Sequence, residues 1–370
     1  MSISLQPPAD AARPRLGRGA TLARLALIGA ALAVVAAAFA YLAGWLTPHE
    51  LTPGHFTDGF EEVNGVHPGF RRNHAKGLDV SGFFESNGEG VRLSKATVFQ
   101  PGRVPVIGRF SLGGGMPYQA DKPDTVRGLG LQFTLPDGEL WRTAMVNLSV
   151  FPFSTPEGFY EQMLASKPDP TTGKPDPAKM QAFLARHPET VRALNTYKEH
   201  PPSSGFENSA FFGLNAFRFV NAAGSSTPVR WWLRPEQPIE PAGTAPATED
   251  KNYLFDALIT RIGRGPLRWH LQIIVGQPGD PTNDASAAWP EGREAVDVGT
   301  LTIDRAESDE TSAAAGLNFD PLVLPDGISP SDDPLLSARS AVYSQSFTRR
   351  AGESKEPPAI TPADVRKGGR

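Results

Sequence analysis

The chain has 370 residues, with 36 Lys plus Arg against 40 Asp plus Glu, a net charge of −4. That near-balance argues against a nucleic-acid partner, which calls for a basic face; 39% hydrophobic and 21% charged residues fit a globular chain rather than a disordered one. Cysteine is absent, which excludes disulfides, iron–sulfur clusters, Cys-ligated zinc and thiol nucleophiles together.

The N-terminal segment carries Arg13, Arg15, Arg18 and Arg24, then an uncharged apolar run over 25–46, LALIGAALAVVAAAFAYLAGWL. A bilayer core takes about 20 apolar residues in a helix, so this run is long enough to span it. Tyr41 and Trp45 near its far end suit the interface. The arginines assign 1–24 to a cytoplasmic basic tail and the bulk of the chain to the other side. Ala38-Phe39-Ala40 also resembles a signal-peptidase site. An anchor is the preferred reading, because the run exceeds the roughly 7–15 residues of a signal core; both readings export the domain.

Residues 47–65 read as a tether ending in a short amphipathic start. RLSKATVF, VPVIGRFSL, GLGLQFTL and WRTAMVNLSVFPF read as strands within 66–153, bounded by Gly or Pro. Residues 156–199 are helical in pattern, broken by the turn-rich KPDPTTGKPDP. FFGLNAFRFVN and PVRWWLRP return to strands, TEDKNYLFDALITRI has helical spacing, and LRWHLQIIVG and DVGTLTID give two more strands. Asp333 is a candidate N-cap, with Pro334 at the first position of a helix running to about Arg350. The stretch 351–370 reads as a loose, flexible tail. An antiparallel barrel with attached helices is the natural α+β arrangement.

No histidine pair has metal-site spacing, and His270, within an apolar strand, reads as a core residue. His74 stands apart, in RRNHAKG beside two arginines. Tyr343 follows Arg339 by four residues, so the two share a helix face. A guanidinium beside a phenol favours the charged form, and a phenolate is a hard ligand for ferric iron. Neither pair identifies a function by its spacing alone. No nucleophile elbow, P-loop or dinucleotide fingerprint is present.

In order, RRNHAKGLDVSGFFE, GRFS, DTVRGLGLQF, MVNLSVFPF, LNAFRFVN and NFDPLVLPDGISPSDDPLLSARSAVY resemble segments of the haem catalase family over roughly 60–350. The likeness is to its small, catalase-related peroxidase branch. It implies a catalase-like antiparallel β-barrel of about eight strands with surrounding helices over 66–350, preceded by one transmembrane helix. It implies ferric haem b with Tyr343 as axial tyrosinate and sole metal ligand, and Arg339 holding that phenolate charged, itself oriented by Asp333. His74 is then the distal acid–base group, Asn147 holds the peroxide, and Ser111 orients His74. Arg71, Arg109 and Arg350, with Arg339, would bind the cofactor, the first three through its propionates.

The activity implied is reduction of hydrogen peroxide or organic hydroperoxides through an oxoferryl state, with some catalase turnover. A peroxide and a small organic electron donor would be the partners, and the domain would lie on the periplasmic side of a bacterial inner membrane. A haem isomerase acting on lipid hydroperoxides and a non-catalytic haem carrier or sensor are the alternatives. A chain ending soon after the proximal helix also implies a shallow channel. Two departures from the family stand out. Asn215 replaces a histidine behind Arg339. Asn73 replaces an apolar residue before His74, which predicts a wetter distal pocket.

Overall fold

The computed structural model describes residues 17–42, 51–242, 250–363 and 365, in two separate units divided after Thr52. The first unit holds helix α1 (Arg18–Leu42). Its segment Arg18–Tyr41 is long and apolar enough to cross a membrane, with its side chains uncovered. The helix starts before the apolar run does. Positions 43–46 of that run, Trp45 included, lie outside the described residues, as do 1–16 of the basic tail and 47–50 of the tether.

The second unit begins with α2 (Pro53–Asn64), which buries Phe56, Thr57, Gly59 and Phe60. So the later part of the expected tether is a packed helix. Strands β1 (Gly77–Ser86), β2 (Gly102–Leu112), β3 (Arg127–Thr134) and β4 (Leu140–Val146) form an antiparallel run. Helices α3 (Pro156–Ala165), α4 (Pro177–Arg186) and α5 (Pro188–Glu199) follow, each with proline in its first turn. Next come β5 (Phe211–Phe212), β6 (Phe217–Val220), β7 (Ser226–Pro235), α6 (Tyr253–Arg264), β8 (Leu267–Val275), β9 (Ala295–Glu307), β10 (Ile328–Pro330) and α7 (Pro334–Ala351).

Strands β7, β5, β4, β3, β2, β1, β9 and β8 are neighbours in that order, and β8 pairs back onto β7. This closes an eight-stranded antiparallel barrel and leaves no free edge among those strands. Strands β6 and β10 continue outward from β7. Alternate residues of each strand point inward. Phe84, Phe110, Leu131, Phe133, Trp141 and Trp269 are fully buried there, with Phe133 and Trp141 stacked at 4.8 Å.

RLSKATVF departs from its strand reading. It contributes to two short 3-10 turns, Glu89–Arg92 and Thr97–Phe99. Long-range partners set its shape: Ser94 Oγ donates to Gly327 O and the Lys95 amide to Val220 O. The tail reading is also corrected for its described part. Glu353, Lys355 and Asn252-bonded Ala359 tie the segment across the unit, and Ile360 is 2% exposed in the core. His270 is half-buried rather than a core residue, with Nε2 3.1 Å from Glu236 and Nδ1 2.8 Å from Asp297.

Candidate active site

Register places Gly77, Ser111, Gly128 and Val146 in one row across β1 to β4. Asp79, Arg109, Gly130 and Ala144 form the row two residues further along. Most of these residues are small, and they lie on the face opposite to inward-pointing Phe110 and Leu131. That leaves room for a cavity on the outside of the barrel, with walls completed by α2, α3 and α7. Gly77 and Gly128 are required by close approach. A Cβ on Gly77 would stand 2.3 Å from the Arg109 guanidinium carbon, and one on Gly128 3.0 Å from two atoms of the His74 ring.

The cavity brings together seven of the eight residues expected at the site: Arg71, His74, Arg109, Ser111, Arg339, Tyr343 and Arg350. Asn147 is the exception. Val146 lines the cavity beside it, while Asn147 Oδ1 accepts from the Arg127 amide at 2.8 Å. Its own amide N–H donates to Arg127 O at 2.9 Å. The side-chain Nδ2 is left as the remaining donor.

His74 is held at three points. Its amide donates to Asn73 Oδ1 at 2.9 Å, its carbonyl accepts from Arg109 Nη1 at 2.8 Å, and Nδ1 lies 3.0 Å from Ser111 Oγ. That last bond leaves Nε2 as the free ring nitrogen. The backbone of His74 is left-handed, with φ 57°, a conformation costing about 1–2 kcal/mol for an L-residue. Asn73 offsets part of this cost, since its Oδ1 also accepts from the Gly114 amide at 2.9 Å. Asn73 therefore acts as a structural fastener of the loop. Burial, then the charges of Arg109, Arg339 and Arg71, push the His74 imidazole down to about 4.

Among the described residues, the other with positive φ outside glycine is Leu214, at 63°. The Asn215 amide donates back to Gly213 O at 2.8 Å, so Leu214 centres a γ-turn that places itself and Asn215 at the cavity. Both strained non-glycine residues in the described chain thus line one space, a pattern that marks functional sites. Nothing in the sequence signals the strain at Leu214.

Helix α7 is capped by Asp333, whose Oδ1 accepts from the Leu335 amide at 2.9 Å. Its other oxygen accepts from Asn215 Nδ2 at 2.8 Å, and Asn215 Oδ1 accepts in turn from Arg339 Nη1. Asp333 therefore reaches Arg339 through Asn215, not directly. Arg339 Nη2 donates to Ala144 O at 3.0 Å, which ties α7 to β4. Arg339 and Tyr343 sit one helical turn apart on the cavity wall, with no hydrogen bond between them among the described residues.

Three arginines gather at one end. Arg109 has Asp79 and Asp309 within 3.4 Å. Arg71 and Arg350 instead share the Leu317 carbonyl, at 2.9 and 2.7 Å. Burial and then the neighbouring charges of Arg109 and Arg350 lower Arg71 to about 9, and burial and Arg109 lower Arg350. Arg71 Nη2 is buried without an acceptor. Such a donor set fits a ligand that brings carboxylates to this end. The remaining walls are apolar and largely aromatic: Phe56, Phe60, Phe151, Phe159, Phe319 and Phe347. A flat apolar cofactor with two carboxylates satisfies both features, so the residues present fit haem. The aromatic wall had no motif in the sequence to announce it; Arg72, buried beside the site, was visible only as the second half of an Arg-Arg doublet.

Residues 48–360 match the catalase family model. A catalase-related peroxidase of Synechococcus elongatus is 41% identical over 305 residues, covering 81% of this chain and 89% of that protein. A catalase-related peroxidase of Mycolicibacterium paratuberculosis is 36% identical, covering 82% and 96%. Among solved structures, a fungal catalase superposes with a TM-score of 0.69 at 20% identity, over 76% of this chain and 60% of that one. Catalase A of Saccharomyces cerevisiae gives 0.67 at 21% identity, over 76% and 61%. The chain thus spans about three fifths of these solved catalases, and nearly the whole of the two catalase-related peroxidases.

Proposed function

The chain belongs to the catalase family, and from that premise we propose that its cavity holds haem b between Tyr343 and His74 and uses it to reduce peroxides. Family membership implies haem binding, and the two catalase-related relatives support peroxidase activity, an oxidoreductase reaction with peroxide as acceptor. The observation that carries the residue-level reading is the convergence of His74, Tyr343 and the three arginines on one cavity.

Haem would supply an iron that accepts the peroxide oxygen and stores two oxidising equivalents for a donor. Tyr343 Oη is the proposed iron ligand, with Arg339 providing positive charge one turn away. Arg71, Arg109 and Arg350 would pair with the propionates, giving the orphan Arg71 Nη2 its acceptor. His74, kept neutral by burial, takes a proton from the peroxide oxygen that is retained. It returns that proton to the departing oxygen, which leaves as water or an alcohol. Ser111 keeps Nδ1 occupied, so that Nε2 does this work. Asn147 Nδ2 would steady the peroxide from the rim. The aromatic wall excludes water and favours organic hydroperoxides and small organic donors alongside hydrogen peroxide.

For the N-terminal segment we propose a membrane anchor with the haem domain outside the cytoplasm, on the periplasmic side. An exposed helix that is apolar all round supports this, since it needs an apolar medium. In this reading the anchor covers 25–46 and the haem domain runs from the start of α2 through α7.

Turnover of hydrogen peroxide alone, set against an alkyl hydroperoxide with an organic donor, tests the assignment. The expected result is donor oxidation coupled to alcohol formation. Rapid oxygen release without donor oxidation would reject peroxidase in favour of catalase, and an allene oxide product would favour an isomerase.

A further inference from the structure

The geometry points to Arg72 and Glu353 as a positioning clasp that fixes the loop carrying His74 against helix α7, which carries Tyr343. What the clasp positions rests on the haem-peroxidase reading; the clasp itself rests on its hydrogen bonds.

Arg72 is 5% exposed, yet every arm of its guanidinium is engaged. Nη2 donates to Glu353 Oε1 at 2.5 Å and Nη1 to Oε2 at 2.9 Å, a two-pronged pair between residues 281 positions apart. Nε donates to Glu61 Oε1 on α2 at 2.6 Å, and Nη1 also to Phe70 O at 3.0 Å. The Arg72 amide donates to Ser346 Oγ on α7 at 3.3 Å. Glu353, two residues beyond α7, accepts from the Gly69 amide at 2.7 Å as well. Glu61 accepts from Arg349 of α7 at 3.2 Å, closing the network. The planar fork therefore joins α2 and the strap after α7 to the residue two before His74, and the Arg72 amide and the Glu61–Arg349 bond tie both to α7.

The loop needs such a fastening. Residues 69–76 precede the first strand pairing at Gly77, and His74 sits in a strained backbone state that persists only when its surroundings over-determine it. The bonds to Asn73, Arg109 and Ser111 hold His74 locally. They do not fix the loop relative to α7; Arg72 does, through its amide on Ser346 and its fork on Glu61 and on Glu353, two residues past the helix. Charge balance agrees: hydrogen bonding to Glu353 raises the Arg72 pKa, and hydrogen bonding to Arg72 lowers that of Glu353. A displacement of about 1 Å at an acid–base group is enough to cost a large part of its rate.

The test uses the full chain loaded with haem and three variants. Glu353→Gln keeps size but removes the charge. Arg72→Lys keeps the charge but removes the fork. Tyr118→Phe cuts the bond from Tyr118 to Pro357 O elsewhere on the strap and leaves the clasp intact. Amide exchange by mass spectrometry and the rate of cyanide binding to the ferric protein are the readouts. The clasp predicts roughly tenfold faster exchange over 69–77 in Glu353→Gln and Arg72→Lys, with cyanide binding about fivefold slower. Tyr118→Phe should leave both unchanged. Unchanged exchange in Glu353→Gln overturns the clasp. So does faster exchange with an unaltered cyanide rate, or an equal effect in Tyr118→Phe. Should the unsubstituted protein take up no haem, the functional reading fails, while the exchange comparison still decides whether the clasp holds the loop.

Discussion

Gly128 lies against the His74 imidazole, so that a methyl group on it would stand 3.0 Å from Cε1 and Nδ1 and 2.8 Å from Ser111 Oγ. The ring is set by backbone proximity on one side and by Ser111 Oγ at 3.0 Å on another. Gly128→Ala should tilt the ring and stretch that bond. Stopped-flow measurement with hydrogen peroxide should find the bimolecular rate reduced by about 10–100-fold, with haem uptake retained. A wild-type rate in Gly128→Ala would mean that the ring position is not critical.

His74 also sets two pH dependences. Its imidazole titrates at about 4 in the fold and near 6.5 when unfolded. If the neutral form accepts the peroxide proton as proposed, the rate should stay flat from about pH 8 to about pH 5 and fall only near pH 4. In the haem-free protein the depressed pKa means that the unfolded chain binds the proton first as pH drops. The stability it confers is complete above about pH 6.5 and is lost as pH falls from there to about 4, by about 3 kcal/mol. Denaturant titrations of the haem-free protein and of His74→Gln should diverge over that window. Parallel pH profiles would contradict the assignment.

Arg71 carries a buried donor without an acceptor beside two other arginines. Arg71→Met removes the orphan and the repulsion together. It should hold or raise the melting temperature of the haem-free protein, with a gain of up to about 1 kcal/mol. Haem affinity should fall by about tenfold or more, through loss of a charge-assisted pair. Thermal melts and haem titration of the same preparations check both signs. Destabilisation of the haem-free protein with unchanged haem affinity would show that Arg71 is structural.

Asn73 and Asn215 predict different costs. Asn73→Val introduces an apolar residue but removes the acceptor for the His74 and Gly114 amides. It should destabilise the protein by about 1–3 kcal/mol and slow peroxide reduction, as denaturant titration and steady-state rates would show. Asn215→Ala should free Arg339 Nη1, with Nη2 still on Ala144 O, and leave the Asp333 carboxylate capping α7 through Oδ1 alone. Its effect should appear in the ferric spectrum before it appears in stability.

Much of this was legible in the sequence because it is local. The strands VPVIGRFSL and GLGLQFTL, the Asp333-Pro334 helix start and the shared face of Arg339 and Tyr343 all follow from spacing and capping. What escaped depends on partners far along the chain. RLSKATVF alternates like a strand but is shaped by bonds to Val220 and Gly327. The segment after α7 has the polar composition of a loose end, yet Glu353 finds Arg72 and Ile360 finds the core. Left-handed backbone at Leu214 leaves no trace in residue type, because leucine disfavours it; histidine is enriched there, but a single His74 does not announce it. The strand read over 141–153 stops at Val146, so Asn147 lies just beyond β4, with its side chain partly committed to Arg127.

The central claim is that Tyr343 and His74 face one haem from opposite sides. The visible spectrum of the purified protein with ferric haem, compared with that of Tyr343→Phe, tests it most directly. A five-coordinate tyrosinate spectrum in the native protein, lost in Tyr343→Phe and little changed in His74→Gln, is the predicted result. Identical spectra for the native protein and Tyr343→Phe, or a spectrum abolished by His74→Gln instead, would contradict it.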